Sequence, residues 1–429
     1  MATRVRPRGA GTRTEDNYFH GYTGVAEPHD IDDIRTDRER RRAERNERVA
    51  RRAEVRVVGS VDYALLFIVI LLVMFGIVMV FSSSHMISMR IRGTPFHFLR
   101  LNLIYAGIGF IAMFFLANFR YELFRSVSLL SYAVALGLLV LVILIGEEIN
   151  GARRWIWIGR EGGAGFQFQP SELARAALIF TMAYLIEKFP GITRTFKGLL
   201  ILLATVVIMA GLIWYPGGTS IAIITTTIGL GMIAVASPHF WKLGVLGGVG
   251  ASLFVGYLAW ENRMGGEGFR VERFGAWLDP FADRMDTGFQ TVQSLLAIAS
   301  GEWFGLGIGQ SRQISFIPEP MNDIIFAVIV EELGFVGAAM VIVLFAIFIW
   351  RGIIISMRAP DIFSSMIALG IVFAIGFQAI INIGVVTNTI PNTGVNLPFI
   401  SYGGTSLIVT MALAGVLLNI SRYSTQRKG

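Results

Sequence analysis

Apolar residues fall in long blocks at 61–81, 99–117, 127–146, 171–186, 199–214, 219–236, 243–260, 324–350, 362–386 and 405–420, separated by short polar stretches. The blocks are apolar around the whole helical circumference, so they predict helices enclosed by lipid or by other helices rather than amphipathic surface helices. About 20 such residues cross the hydrocarbon core of a bilayer, and the shorter blocks reach that length with a tilt or with boundary residues. Trp214, Trp241, Trp260 and Trp350 close several blocks, where interfacial aromatic rings belong. The pattern predicts an all-α polytopic membrane protein with ten transmembrane helices and a large outer loop, about 261–322, between the seventh and eighth.

Composition supports this reading: 54% of residues are apolar and 16% charged, which confines charge to the loops. Ten spans leave both ends on one side, and the basic residues Arg120, Arg125, Lys188, Arg194, Lys197, Lys242, Arg351, Arg358, Arg422, Arg427 and Lys428 make that side cytoplasmic. The opposite face is also basic, with Arg90, Arg92, Arg100, Arg153, Arg154, Arg160, Arg263, Arg270, Arg273, Arg284 and Arg312. An anionic ligand on the outer face explains that departure. Residues 1–60 are polar and lack the apolar core of a signal peptide, so the first block is expected to act as an uncleaved anchor. Disorder is predicted over 1–34. From 37 to 56 an exposed helix repeats Arg38, Arg41, Arg45, Arg48 and Arg52, either as a solvated charged face or as a contact for anionic lipids or a cytoplasmic partner. Residues 422–429 form a short cytoplasmic tail. The absence of cysteine excludes disulfides and thiolate metal sites, and five scattered histidines have no ligand spacing. No glycine-rich nucleotide loop supports ATP-driven transport, and nothing points to a nucleic-acid partner.

The outer loop carries the densest chemistry. Its stretch 269–278 reads as an interfacial helix, with Phe274, Trp277 and Leu278 toward lipid and Arg270 and Arg273 toward headgroups. Asp279, Asp283 and Asp286 follow. Asp279, before Pro280, reads as a cap or turn residue, whereas Asp283 is the candidate general base. Asp283 and Asp286 are also candidate oxygen ligands for a divalent cation, magnesium or manganese. On the fourth span, Pro170 and Ser171 open a helix, and Glu172 and Arg175 lie on one face at its outer end as an ion pair. Arg153 and Arg154 sit beside interfacial tryptophans and suit pyrophosphate. Glu331 and Glu332 lie about 12 Å below Asp323 on the eighth span, where carboxyl groups must be paired, protonated or facing a wet cavity.

Taken in order, Phe81-Ser-Ser-Ser84, Gly151-Ala-Arg-Arg-Trp155, Gln169-Pro-Ser-Glu-Leu-Ala174, Asp279-Pro-Phe-Ala-Asp283, Gly288-Phe-Gln-Thr-Val-Gln-Ser294, Gly307-Ile-Gly-Gln-Ser311, Pro318-Glu319, the run 322–334, Asn382-Ile-Gly384 and the run 397–406 resemble the SEDS family, which comprises FtsW, RodA and SpoVE. Gly309-Gln-Ser311 is more similar to the FtsW and SpoVE branch. The resemblance runs from about residue 61 onward and implies a ten-span peptidoglycan glycosyltransferase of the bacterial plasma membrane, with its active site on the extracytoplasmic face. It implies lipid II and an undecaprenyl-pyrophosphate-linked glycan as substrates. A class B penicillin-binding protein, with other divisome or elongasome membrane proteins, would be its partner. By position, Asp283 matches the family's essential loop aspartate and Glu172 with Arg175 its glutamate–lysine pair; Gln293, Ser311, Glu319, Asp323, Glu331, Glu332, Asn382 and Ser401 fall in the other motifs. Arg175 replaces the usual Lys, Arg284 and Asp286 replace the usual Pro and Gly, and 299–302 lacks the second Gly of the common pattern.

The residues suit that reaction independently. Transfer from a polyprenyl pyrophosphate needs a base for the acceptor hydroxyl, positive charge for the leaving group and apolar walls for lipid tails. A lipid II flippase would use the same arginines without a base. A non-enzymatic scaffold of a division complex would use the basic tail as its contact.

Overall fold

The structure is a computed structural model that describes residues 59–119, 121–149, 152–158, 166–237, 275, 277–282, 288–317 and 319–423, all within one compact unit, Val57–Gly429. The basic tail, the apolar block 243–260, Arg270, Arg273, Asp283, Arg284 and Asp286 lie outside the described residues. The described residues form ten helices: α1 (Tyr63–Arg92), α2 (His97–Asn118), α3 (Glu122–Ile145), α4 (Pro170–Lys188), α5 (Phe196–Trp214), α6 (Thr219–Ala236), α7 (Phe289–Gly301), α8 (Ile325–Met357), α9 (Ile362–Val386) and α10 (Gly404–Arg422). Eight of them, all but α4 and α7, are long and apolar enough to cross a membrane. The protein is a polytopic, mainly helical membrane protein. Helix α4 has the length but also carries Glu172, Arg175, Glu187 and Lys188. Helix α7 occupies part of what the sequence reads as loop.

Side-chain caps set several helix starts. Asp62 accepts from the Leu65 amide at 3.0 Å, Thr195 from Gly198 at 3.2 Å and Asp361 from Ser364 at 2.8 Å. Gly93, in the left-handed region at φ 69°, ends α1. That helix runs past its apolar block because Ser82, Ser83 and Ser84 are buried within the protein instead of reaching water. Between α3 and α4, where the sequence suggested two arginines beside interfacial tryptophans and no strand, β1 (Glu147–Ile149), β2 (Ala152–Ile158) and β3 (Phe166–Phe168) form a small antiparallel sheet in the order β1-β2-β3.

Burial separates core from periphery. Along their most apolar stretches, 72% of residues are buried in α9 and in α10, against 28% in α2 and 22% in α3. The outward residues of the peripheral helices, such as Ile111, Phe115 and Leu144, present the apolar surface that lipid requires. Helix α4 packs against α3, α6 and α9 through Ala174, Ala176, Ala177 and Ala183, small side chains that let helices approach closely. The first helix is tied to the last: the Gly59 amide donates to the Arg422 carbonyl at 2.7 Å and the Asp62 amide to the Ser421 hydroxyl at 3.0 Å. Arg351 of α8 completes the junction as an ion pair with Asp62.

Helix α8 is not continuous. Gly334 has φ 67° and ψ −165°, a conformation essentially restricted to glycine, and the helix breaks there. Backbone groups freed by the break cannot find water in an apolar bundle, so protein must satisfy them. Segment 302–307 does so from α8's side: the amides of Leu306 and Gly307 donate to the carbonyls of Glu331 and Glu332, both at 2.9 Å. In return, the amides of Phe335 and Val336 donate to the carbonyls of Glu302 and Trp303, at 2.9 and 3.2 Å. The approach is so close that a Cβ on Gly334 would lie 2.4 Å from the Trp303 backbone. Gly334→Ala therefore combines left-handed strain with a backbone clash and is expected to cost about 2–4 kcal/mol. Gly107→Ala, on α2 with open space around its Cα, should cost nothing or stabilise slightly. Thermal unfolding of the two variants in one detergent checks the contrast, and equal midpoints would contradict it.

Candidate functional site

Of the described site residues, Glu172, Arg175, Asp323, Asn382 and Ser401 lie along a polar seam between α4, α8 and α9. At one end, Glu172 and Arg175 form the ion pair that their spacing predicts. The pair is 5% and 6% exposed, so it is enclosed by protein at the start of α4. Glu172 occupies the first turn of α4, where the helix dipole favours a carboxylate. The guanidinium is shared: one terminal nitrogen pairs with Glu172, and Nη1 donates to Oε1 of Gln378 on α9 at 2.7 Å. Gln378 passes the link on, its Nε2 donating to the Asn396 carbonyl at 2.9 Å.

One turn further along α9, Asn382 is 1% exposed and donates through Nδ2 to the carbonyls of Asp323 and Val395, each at 2.6 Å. The carboxyl of Asp323 faces Gly394. Ser401 ties the same region from the other side, donating to the Asn322 carbonyl at 2.6 Å and accepting from the Leu397 amide at 2.7 Å. Glu319 is exposed, has φ 50°, and accepts from Asn322 Nδ2 at 2.6 Å. Tyr402 donates its amide to the Met321 carbonyl at 2.9 Å, and burial pushes its hydroxyl pKa well above the usual tyrosine value, with Tyr105 adding to the shift. Among the described residues, the buried Oε1 of Gln293 on α7 has no hydrogen-bond partner, nor do Oδ1 of Asn322 and of Asn382 or the Thr393 hydroxyl. Such atoms in one region leave acceptors available to water or a polar ligand.

Glu331 and Glu332 form a separate cluster at the break in α8. Both are fully buried. Glu331 accepts from the Ser311 hydroxyl and from the amides of Arg312 at 2.9 Å and Gln313 at 3.3 Å, and so holds the start of a 3₁₀ turn, Gln313–Ser315. Glu332 accepts from the Ser82 hydroxyl at 2.6 Å, and Ser82 accepts in turn from the Gly309 amide at 2.9 Å. These contacts join α1, α8 and the 302–315 segment.

Of the arginines expected at the pyrophosphate or headgroups, the described residues include Arg153 and Arg154. Arg153 is exposed and pairs with Glu148 across the hairpin at 3.3 Å. Arg154 donates to the Gly217 carbonyl at 2.6 Å and so pins the sheet to the α5–α6 turn. Trp277, expected to face lipid, donates its indole N–H to the Asn388 carbonyl at 3.1 Å. Asp279 accepts from the Phe281 amide at 3.1 Å, a turn contact of the kind expected of it. Among the described residues no group of three His, Asp or Glu is placed to hold a metal ion; the cation candidates Asp283 and Asp286 lie outside them.

Sequence reasoning missed Gln378, Asn388, Asn392 and Asn396. A signal existed for Gln378: with Asn382 it places amides at i and i+4 inside an otherwise apolar block, and each needs a buried partner. The asparagines resemble ordinary turn residues, and only their distant partners set them apart.

A bundle of apolar helices folded around a buried seam of amides, carboxylates and one arginine is the architecture of an integral membrane protein with an internal polar site. The model of the cell cycle protein family FtsW/RodA/SpoVE matches residues 63–426, and the chain belongs to that family. The chain is 42% identical over 375 residues to stage V sporulation protein E of Bacillus subtilis strain 168, covering 85% of this chain and 98% of that protein. It is 36% identical over 373 residues to the probable peptidoglycan glycosyltransferase FtsW of Geobacter sp. strain M18, covering 86% and 98%. Among solved structures, a chain of a peptidoglycan synthase complex that coordinates polymerisation and crosslinking superposes with a TM-score of 0.70 at 26% identity, over 84% of this chain and 98% of that one. The rod shape-determining protein RodA of Thermus thermophilus shares the fold, with a TM-score of 0.61 at 24% identity over 85% and 98% of the two chains.

Burial sharpens what the ion pair should do. Glu172→Ala or Arg175→Ala leaves an uncompensated buried charge and should lower stability by about 3–5 kcal/mol. Removing both should cost clearly less than the sum. Arg175→Lys keeps the charge but loses the fork that reaches Glu172 and Gln378 together, so an intermediate loss is expected. Unfolding midpoints of the four variants in detergent check this; additive losses would contradict the pairing.

Proposed function

We propose that this chain is a peptidoglycan glycosyltransferase that polymerises glycan strands from lipid II on the outer face of the plasma membrane. The carrying observation is its similarity to relatives named as probable peptidoglycan glycosyltransferases over 98% of the length of one of them. The buried polar seam supports the same reading, because a sugar bearing many hydroxyls needs such groups at the end of an apolar path. The similarity to a chain of a polymerising and crosslinking synthase complex supports a crosslinking partner, of the class B penicillin-binding type.

In this reaction Asp283 takes the proton from the 4-hydroxyl of the acceptor sugar. The resulting oxygen attacks the anomeric carbon of the donor as the bond to pyrophosphate breaks. Attack from the face opposite the leaving group inverts the centre, turning an α donor into a β link. The lipid pyrophosphate departs with its charge balanced by arginines, for which Arg153, Arg270 and Arg273 are candidates, while Arg154 serves to hold the hairpin. Glu172, Arg175 and Gln378 form the rigid polar floor against which the sugar is oriented. Both chain ends are cytoplasmic, and the Arg-rich tail serves membrane contact or recruitment.

Purified protein in detergent should polymerise lipid II, and more so with its crosslinking partner; because detergent has no second leaflet, product there argues against a flippase. Asp283→Asn should lower the rate by roughly 10²-fold to 10⁴-fold while donor binding survives. Asp279→Asn, which weakens only a turn contact, should cost stability more than rate. Near-normal polymer from Asp283→Asn would refute the general-base assignment, and equal losses in Asp283→Asn and Asp286→Asn that vary with added magnesium or manganese would favour a metal site.

A further inference from the structure

Segment 388–396, between α9 and α10, bonds to Trp277, to α7 and to the amides of α9 that hold the seam. Asn388 follows α9 in the left-handed region, φ 56°, with its amide donating to the Val385 carbonyl at 2.9 Å. Its contact with Trp277 is reciprocal: the indole N–H donates to the Asn388 carbonyl at 3.1 Å, and Asn388 Nδ2 donates to the Trp277 carbonyl at 3.3 Å. Asn392 Nδ2 donates to Oε1 of Gln290 on α7 at 2.9 Å. Trp277 and Gln290 flank Asp283 in the sequence, one on either side. At the far end of the segment, the carbonyls of Val395 and Asn396 are held by Asn382 and Gln378, and Gln378 also holds Arg175.

We infer that segment 388–396 is a positioning rail, with Asn388 and Asn392 registering the two chain positions that flank Asp283 against the Glu172–Arg175 pair. The inference rests on the glycosyltransferase reading above and adds residues to which that reading gives no part. Both ties are side-chain amide contacts with defined partners on separate elements, and together they fix the flanking chain at two points instead of one. A hydrogen bond of this kind contributes little to global stability in isolation, whereas a misplacement of about 1 Å at a reacting group can cost 10²-fold in rate. The rail residues are positioning residues and touch no substrate in this account.

The test separates backbone from side chain. Asn388→Gly keeps the left-handed conformation and removes only the amide. It should lower kcat for lipid II polymerisation by roughly tenfold to a hundredfold with KM within about twofold. Hydrogen–deuterium exchange should quicken in peptides spanning 275–290 and stay unchanged in α1, α2 and α10. Asn392→Ala and Gln290→Ala should each lose about tenfold in kcat, their double variant should be no worse than the more impaired single, and Gln290→Glu, which keeps an acceptor, should recover most of the rate. Wild-type kcat in Asn388→Gly and Asn392→Ala, additive losses across the Gln290–Asn392 pair, or faster exchange throughout the helices would overturn the rail. Wild-type and Asp283→Asn protein run beside them keep the two readings apart. An active wild type and inactive Asp283→Asn with fully active rail variants defeats the rail alone, whereas a wild type that makes no polymer defeats the glycosyltransferase reading and the rail with it.

Discussion

Neither lipid nor neighbouring leucines can partner a polar group that this bundle takes below its apolar surface, so the great majority of such groups are paired within the protein. That requirement dictates where the connecting segments run. The break at Gly334 exposes amides and carbonyls, and the 302–307 segment lies against it to pair with them. Asn419 of α10 reaches the carbonyls of Leu116 and Ala117, each at 3.0 Å, and so closes the end of α2. Gln378 and Asn382 draw segment 388–396 into the bundle in the same way. Local irregularity and the polar site are thus linked, since several of the buried amides and carboxyls hold a stretch of non-helical chain beside them.

The glutamates at 331 and 332 show how the constraint unites distant sequence. Two adjacent carboxyl groups on a helix point to different sides, so each recruits its own partners. One organises Ser311 and the turn after it, while the other reaches Ser82 in the first helix. Groups of this kind are weak evidence for stability, since well-packed apolar residues often serve that purpose as well. Their value lies in specifying a single arrangement of α1, α8 and the segment between α7 and α8, where apolar packing alone would tolerate several.

Most of the helical architecture was legible in the sequence, because an uninterrupted apolar block of spanning length has few physical explanations. The Glu172–Arg175 pair was legible too, since it depends on neighbours along one helix, although its depth was not. What escaped was whatever depends on a distant partner. The serines at 82–84 looked like the end of a helix because the partner of Ser82 is Glu332, 250 positions away in the chain. Trp277 looked like a lipid anchor because nothing nearby announces Asn388. The small sheet at 147–168 was hidden because Arg153-Arg-Trp-Ile-Trp157 fits an interfacial belt as readily as a strand.

The junction between the first and last helices bears on how the protein is made. Gly59 and Asp62 donate their amides to Arg422 and Ser421, so the start of α1 is completed by groups made long after it, with 359 positions separating Asp62 from Ser421. Synthesis is vectorial, and the opening helix must wait in the bilayer with its leading end hydrated until its counterpart arrives. A nascent chain stopped before α10 is therefore recognisable as unfinished at its very beginning, which gives membrane quality control a feature to inspect far from the point of arrest.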